Sequence, residues 1–201
     1  MKKKNFILLG ITVLVIVAIV VGVVLILNKN NKTEITDAVK FSGEYTEIDK
    51  NNVFVYRSVD EIINILENGT GIVLLGFPEC PWCQRYVKYL NEVAKDLGID
   101  KIYYYNIRED RKNNTEDYQK IVAILKEYLQ YDEEGNKRIY VPSVIALKKG
   151  EIVGFDDETA WDTKGFKTPD EYWTDDEVKD LKERLETMIA NTGMNICTEC
   201  E

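Results

Sequence analysis

An uncharged run from Phe6 to Leu27, made almost wholly of Ile, Val and Leu, constrains this chain more than any other feature. At about 1.5 Å of rise per residue it is long enough to cross a bilayer core as one helix. The residues left for a water-soluble fold are those of one ordinary domain, out of 201 in all. No small-x-small cleavage pattern follows the run, only Leu25, Ile26, Leu27 and Asn28, and no cysteine stands directly after it. It therefore reads as an uncleaved signal anchor, not as a removed signal peptide or a lipoprotein anchor. Lys2, Lys3 and Lys4 precede it, while only Lys29 and Lys32 follow closely, diluted by asparagines. By the positive-inside rule the N-terminus is cytoplasmic and the bulk of the chain extracytoplasmic. The expected organisation is a basic segment 1–5, a transmembrane helix 6–27, a flexible Asn- and Lys-rich linker 28–40, a domain 41–192 and a tail 193–201.

Charge narrows the partners. The net charge is −9, and all five charges before residue 33 are lysines, so the remainder carries 21 basic against 35 acidic side chains, or −14. A nucleic-acid or anionic-lipid partner does not fit such a surface. Histidine is absent altogether, which removes histidine acid–base catalysis, Ser-His triads and the commonest zinc ligand. Chemistry is left to carboxylates and cysteines.

The domain alternates strands and helices. Val53–Tyr56 reads as a strand, and Ser58 with Glu61 as a capping box opening a helix through Ile62, Ile63 and Leu66, closed by Asn68-Gly69. Ile72 to Phe77 is a continuous apolar run fit for a buried central strand. Tyr86, Val87, Leu90, Val93, Ala94 and Leu97 recur at helical spacing up to Gly98, and Ile102 to Ile107 makes a further strand, so a parallel β-α-β unit is expected. Thr115 caps a helix with the stripe Tyr118, Ile121, Val122, Leu125 and Leu129, ending in the acidic turn Asp132 to Gly135. Val141–Leu147 and Glu151–Phe155 flank Lys148-Lys149-Gly150 as an antiparallel hairpin, with Pro142 at its start. Thr174 and Glu177 form a second capping box for a helix carrying Val178, Leu181, Leu185, Met188 and Ile189, which Gly193 ends. The fold class is α/β, in the order β-α-β-α-β-α-β-β-α, with helices on both faces of a mixed sheet.

Cys80-Pro81-Trp82-Cys83 falls between the buried strand and the following helix. A helix N-terminus offers free N–H groups and partial positive charge to a thiolate, so Cys80 is the expected nucleophile. The spacing returns Cys83 to within reach of a mixed disulfide on Cys80. A structural disulfide or half a zinc site are the alternatives, which the strand–helix setting disfavours. Trp82 is either apolar cover for the pair or a surface that grips substrates. Glu79 is either a proton acceptor for the pair or a solvated carboxylate; lying close, it would raise the thiol pKa.

This motif, the element order and Val141-Pro142 opening the hairpin together resemble the thioredoxin superfamily over roughly residues 50–190. The resemblance implies a thioredoxin fold, a cis Pro142 beside the redox pair, and substrate binding by the backbone of Val141. Membrane-anchored thioredoxin-like proteins of Gram-positive bacteria, some called bacteriocin-transport accessory proteins, are similar in their anchor, C-P-x-C pair and tail cysteines. One departure matters: where many thioredoxins carry a buried Asp, six residues before the first cysteine, this chain has Leu74.

A second pair, Cys197 and Cys200, stands in the tail. It is open to three readings: a second redox centre exchanging electrons with Cys80 and Cys83, a local disulfide, or a joint four-thiolate zinc site. Glu199 and Glu201 disfavour its thiolates, so it suits a resolving or accepting role. Tyr103, Tyr104 and Tyr105 alternate across a strand and read as packing; Asp156-Asp157-Glu158 reads as a solvated face; Trp161 and Trp173 read as filling a core edge. The expectation is an extracytoplasmic thiol–disulfide oxidoreductase without a bound cofactor, acting as reductase or isomerase on protein thiols and disulfides, with a membrane electron partner. The rivals are a tethered assembly accessory with a static disulfide, and a zinc-binding domain.

Overall fold

The computed structural model describes residues 36–158, 162 and 164–194. The anchor reading of Phe6 to Leu27, the tail cysteines and Trp161 lie outside them. Among the described residues no helix is long and apolar enough to cross a membrane.

The elements, in order, are α1 (Asp37–Glu44), β1 (Phe54–Tyr56), α2 (Val59–Asn68), β2 (Gly71–Gly76), α3 (Pro81–Asp96), β3 (Ile102–Asn106), α4 (Arg108–Asn113) and α5 (Glu116–Leu125). They continue through β4 (Gln130–Tyr131), β5 (Lys137–Arg138), β6 (Ser143–Lys148), β7 (Glu151–Asp156), α6 (Pro169–Tyr172) and α7 (Asp175–Asn191). The main sheet has the order β1-β3-β2-β6-β7. β1 and β2 run parallel to β3, β6 runs antiparallel to β2, and β7 antiparallel to β6. The α/β class, the mixed sheet and the parallel β2-α3-β3 unit are as expected from sequence.

All six residues of β2 are buried, so the strand is covered on both faces. Alternation sends Ile72 and Leu74 into a core shared with Tyr86, Leu90 and Val93 of α3 and Leu181, Leu185 and Ile189 of α7. Val73 and Leu75 enter a second core with Ile62 and Leu66 of α2 and Ile121 and Leu125 of α5. The sheet is thus the middle of three layers.

Local chemistry sets the element ends. Ser58 and Glu61 form the full capping box at α2. Thr174 accepts from the Glu177 N–H at α7, but the Glu177 carboxylate pairs with Lys164 instead of returning to the cap, so that capping box is half formed. Lys149 and Gly150 both have positive φ in the β6–β7 turn, and a Cβ on Gly150 would lie 2.0 Å from the Glu67 carbonyl oxygen, a contact only glycine avoids.

Two expectations need correction. The linker 28–40 does not extend to residue 40, because Asp37–Glu44 is helical and continues directly into the domain's core. Its anchor is Phe41, fully buried and stacked on Tyr45 at 4.2 Å and Phe54 at 4.0 Å, while Asp37 accepts from the Tyr56 N–H. The acidic turn Asp132 to Gly135 is not a helix end but the turn of a small β4–β5 hairpin, where Asp132 accepts from the N–H groups of Glu134 and Asn136. Leu129 is accordingly buried beyond the end of α5.

Phe41→Ala should lower the unfolding free energy by about 3–5 kcal/mol, the cost of emptying a fully buried aromatic site. Urea titration of the wild type and variant measures it; a loss under about 1 kcal/mol would show α1 to be dispensable to the domain.

Candidate redox site

The register of β2 against β6 builds the site. Leu75 pairs with Ser143, so the chain leaving β2 through Phe77-Pro78-Glu79 meets the chain entering β6 through Tyr140-Val141-Pro142. Cys80 then caps α3, with Pro81 at the first helical position, where its missing N–H costs nothing. The Cys80 sulfur accepts from the Cys83 N–H at 3.4 Å. When protonated, it donates to the Val141 carbonyl oxygen at 3.7 Å. The Val141–Pro142 peptide bond is cis. The motif and the Val141-Pro142 pair, far apart in sequence, therefore meet at one sulfur atom.

The two thiols differ sharply. Cys80 is 8% exposed and Cys83 0%, and both are free. A hydrogen bond from the Cys83 thiol is the main influence drawing the Cys80 thiol down, to about 7. Burial opposes this, while the N–H groups of Cys83 and Trp82 and the positive charge of Arg111 assist. Burial, with the hydrogen bond to Cys80 next, pushes the Cys83 thiol well up. Near neutral pH Cys80 is therefore the sulfur that ionises, while Cys83 stays protonated and donates to it.

Arg111 escaped sequence reasoning, since nothing in its local pattern marks it. It sits in the short helix α4, half-buried, with its guanidinium 4.9 Å from the centre of the Phe77 ring and Nη1 donating to the Ile139 carbonyl at 3.3 Å. Phe77 lies in the loop before Cys80 and Ile139 in the loop before Val141. The cation that the motif itself lacks thus comes from another element.

The remaining candidates resolve as follows. Trp82 is buried, with its ring 5.8 Å from that of Tyr172, so it covers the pair and presents little surface to a substrate. Glu79 is exposed and its carboxylate pairs with Arg108. Leu74 is fully buried in apolar surroundings. Hydroxyls border Cys83 beside Gly76: a Cβ at Gly76 would lie 3.4 Å from the Cys83 sulfur and 3.6 Å from the Tyr45 hydroxyl, which donates to the Tyr104 hydroxyl at 3.0 Å. Tyr104 faces this core while Tyr103 and Tyr105 face the other, as strand alternation requires.

The solvated-face reading of Asp156-Asp157-Glu158 is corrected. Glu158 is 5% exposed and accepts from the Tyr172 hydroxyl and the Arg184 guanidinium, each at 2.6 Å. Asp156 accepts from the Tyr86 hydroxyl and from Arg184 Nε. These bonds tie α3, α6 and α7 to the end of β7 behind Trp82. Trp173 packs against Tyr86 and Tyr89 at the edge of the core, as expected.

Cys197 and Cys200 are outside the described residues. The chain leaves toward them from the far end of the sheet: α7 starts beside Tyr172, which touches Trp82, and its 17 residues extend about 25 Å. Gly193 then lies beside Lys148, at the opposite end of β6 from Ser143. Among the described residues, no group of three or more Cys, Asp or Glu side chains is placed to hold a metal ion. No protein-family model, curated protein or solved structure matches this chain.

Iodoacetamide should alkylate Cys80 of the reduced protein with a midpoint near pH 7, rising with pH as the thiolate forms, and leave Cys83 unmodified to well above pH 9. Peptide mapping across a pH series reads both; equal labelling of the two cysteines at neutral pH would contradict the asymmetry.

Proposed function

We propose that this chain is a membrane-anchored, extracytoplasmic thiol–disulfide oxidoreductase with a thioredoxin fold. The observation that carries the reading is the meeting of the Cys80 sulfur with the carbonyl of Val141, one residue before a cis proline, at the N-terminus of a helix whose first turn also holds Cys83. The strand order and the two helical layers accord with that fold.

In the proposed reaction the Cys80 thiolate attacks a substrate disulfide, forming a mixed disulfide and releasing one substrate thiolate, which takes up a proton. Cys83 loses its proton and attacks the Cys80 sulfur, and the second substrate thiolate departs. The substrate gains two electrons and two protons, and Cys80–Cys83 becomes the disulfide. Val141 offers backbone to the substrate chain beside the nucleophile, and Trp82 keeps water from the pair. The reverse sequence oxidises a dithiol. A Cys80 thiol near 7 matches a reductase or isomerase rather than a strong oxidant, whose nucleophile titrates far lower.

Cys83→Ser should accumulate mixed disulfides through Cys80, visible as reducible adducts on non-reducing gels. With Cys197 and Cys200 changed to Ser, the Cys80–Cys83 couple should equilibrate with glutathione at a potential nearer about −270 mV than about −120 mV. No adducts, together with no equilibration, would instead favour a tethered binding protein with a static disulfide.

A further inference from the structure

Four of the chain's arginines have carboxylate partners: Arg57 with Glu61, Arg85 with Glu47 and Asp170, Arg108 with Glu79, and Arg184 with Asp156 and Glu158. Among the described residues neither Arg111 nor Arg138 has a carboxylate within ion-pair distance. In a chain of net charge −9 this pairing pattern is selective, and the two exceptions are neighbours. Both line one polar cleft of about 530 Å³ between α4, α5 and the β4–β5 hairpin.

Both guanidiniums border the loop that leads into Val141, and the positive charge of Arg111 also acts on Cys80. Arg111 rests on the ring of Phe77 in the loop before Cys80, and bonds the carbonyl of Ile139, the residue next to Arg138. Arg138 lies 5.9 Å from the ring of Tyr140, the residue before Val141. Burial works against the charge of Arg111 and the positive charge of Arg138 adds to that, so an anion on this cleft offsets both effects at Arg111. Asp132 and Glu134 also line the cleft; the Asp132 carboxylate is engaged by the N–H groups of its own turn, and Glu134 is exposed and, among the described residues, forms no ion pair with either arginine.

We propose that Arg111 and Arg138 form a specificity subsite that reads a carboxylate close to the substrate's cysteine, so that the preferred substrates are peptide disulfides with acidic flanking residues. This rests on the oxidoreductase reading of Cys80 and Cys83 and gives it a substrate class. The chain itself contains one segment of that class, Cys197-Thr198-Glu199-Cys200-Glu201, which one copy could offer to another. Guanidinium pairs suit such recognition because their planar forks match carboxylate geometry. The attractive subsite also sets the site apart from the acidic remainder of the domain, which would repel the same peptide.

The test uses the full chain with Cys197→Ser and Cys200→Ser, reduced beforehand so that one turnover is followed. Three disulfides are offered: the oxidised peptide of residues 194–201, the same peptide with Glu199→Gln and Glu201→Gln, and uncharged hydroxyethyl disulfide. The acidic peptide should react about fivefold faster than its amide counterpart, the size expected of one partly exposed charged contact. That preference should fall toward one in Arg138→Gln, persist in Arg138→Lys, and shrink with added salt. Equal rates on the two peptides, with hydroxyethyl disulfide reduced normally, would overturn the subsite while leaving the oxidoreductase reading standing. Failure on all three would overturn the oxidoreductase reading itself. A preference that survives Arg138→Gln would locate the recognition elsewhere and so refute this assignment.

Discussion

The pairing of β2 with its neighbours is the constraint on which the rest of this structure depends. β2 is apolar throughout and buried on both faces, so its register cannot slip by one residue without moving Ile72 and Leu74 into the wrong core. Because β6 runs antiparallel to it with Leu75 opposite Ser143, the exit of one strand and the entrance of the other share an end of the sheet. Cys80 and Val141 are 61 residues apart and meet for that reason alone. The opposite end receives the close of α7, where Gly193 lies beside Lys148.

Given that placement, the division of labour between the sulfurs follows from burial and donor count. Cys80 receives hydrogen bonds from the Cys83 thiol and from N–H groups of the first turn of α3, with the charge of Arg111 nearby. Cys83 lies behind it with no exposure and little to stabilise a charge. A thiolate at neutral pH thus forms at the sulfur that is still partly open to an incoming disulfide, and the protonated partner is the one placed to resolve it. The absence of histidine does not leave the site without a cation; the charge comes from α4 across the loop rather than from within the motif.

What could be read from the sequence follows the same physics. The buried run of β2, the capping box Ser58–Glu61, the hairpin around Lys149-Gly150 and the strand–helix setting of Cys80 are local patterns, and each appears where residue spacing put it. α1 was hidden because it is short, eight residues, and its burial rests on Phe41 and Tyr45 meeting Phe54 and Tyr104 from distant elements. Glu158 looked solvated because its acidic neighbours suggested surface, yet Tyr172 and Arg184 arrive from later elements to satisfy it. Arg111 is the clearest case: its importance lies in facing two loops at once, a property of topology that no window of sequence contains.

The placement of charge then becomes intelligible as a contrast of ranges. Screening at physiological salt confines the field of exposed groups to about 8 Å, so the net negative charge of the domain and the cluster at the cleft act on different approaching species at different distances. Far from the site, an acidic partner meets a surface of its own sign and is held off. On the proposed subsite, Arg111 and Arg138, which among the described residues have no carboxylate partner, reverse that sign at short range beside the rings of Phe77 and Tyr140. The arrangement favours partners held near the surface for some other reason, such as attachment to the same membrane, over those that must arrive by long-range attraction. On our proposal the domain is tethered to a membrane, where such partners meet it at high local concentration and recognition falls to a short-range contact.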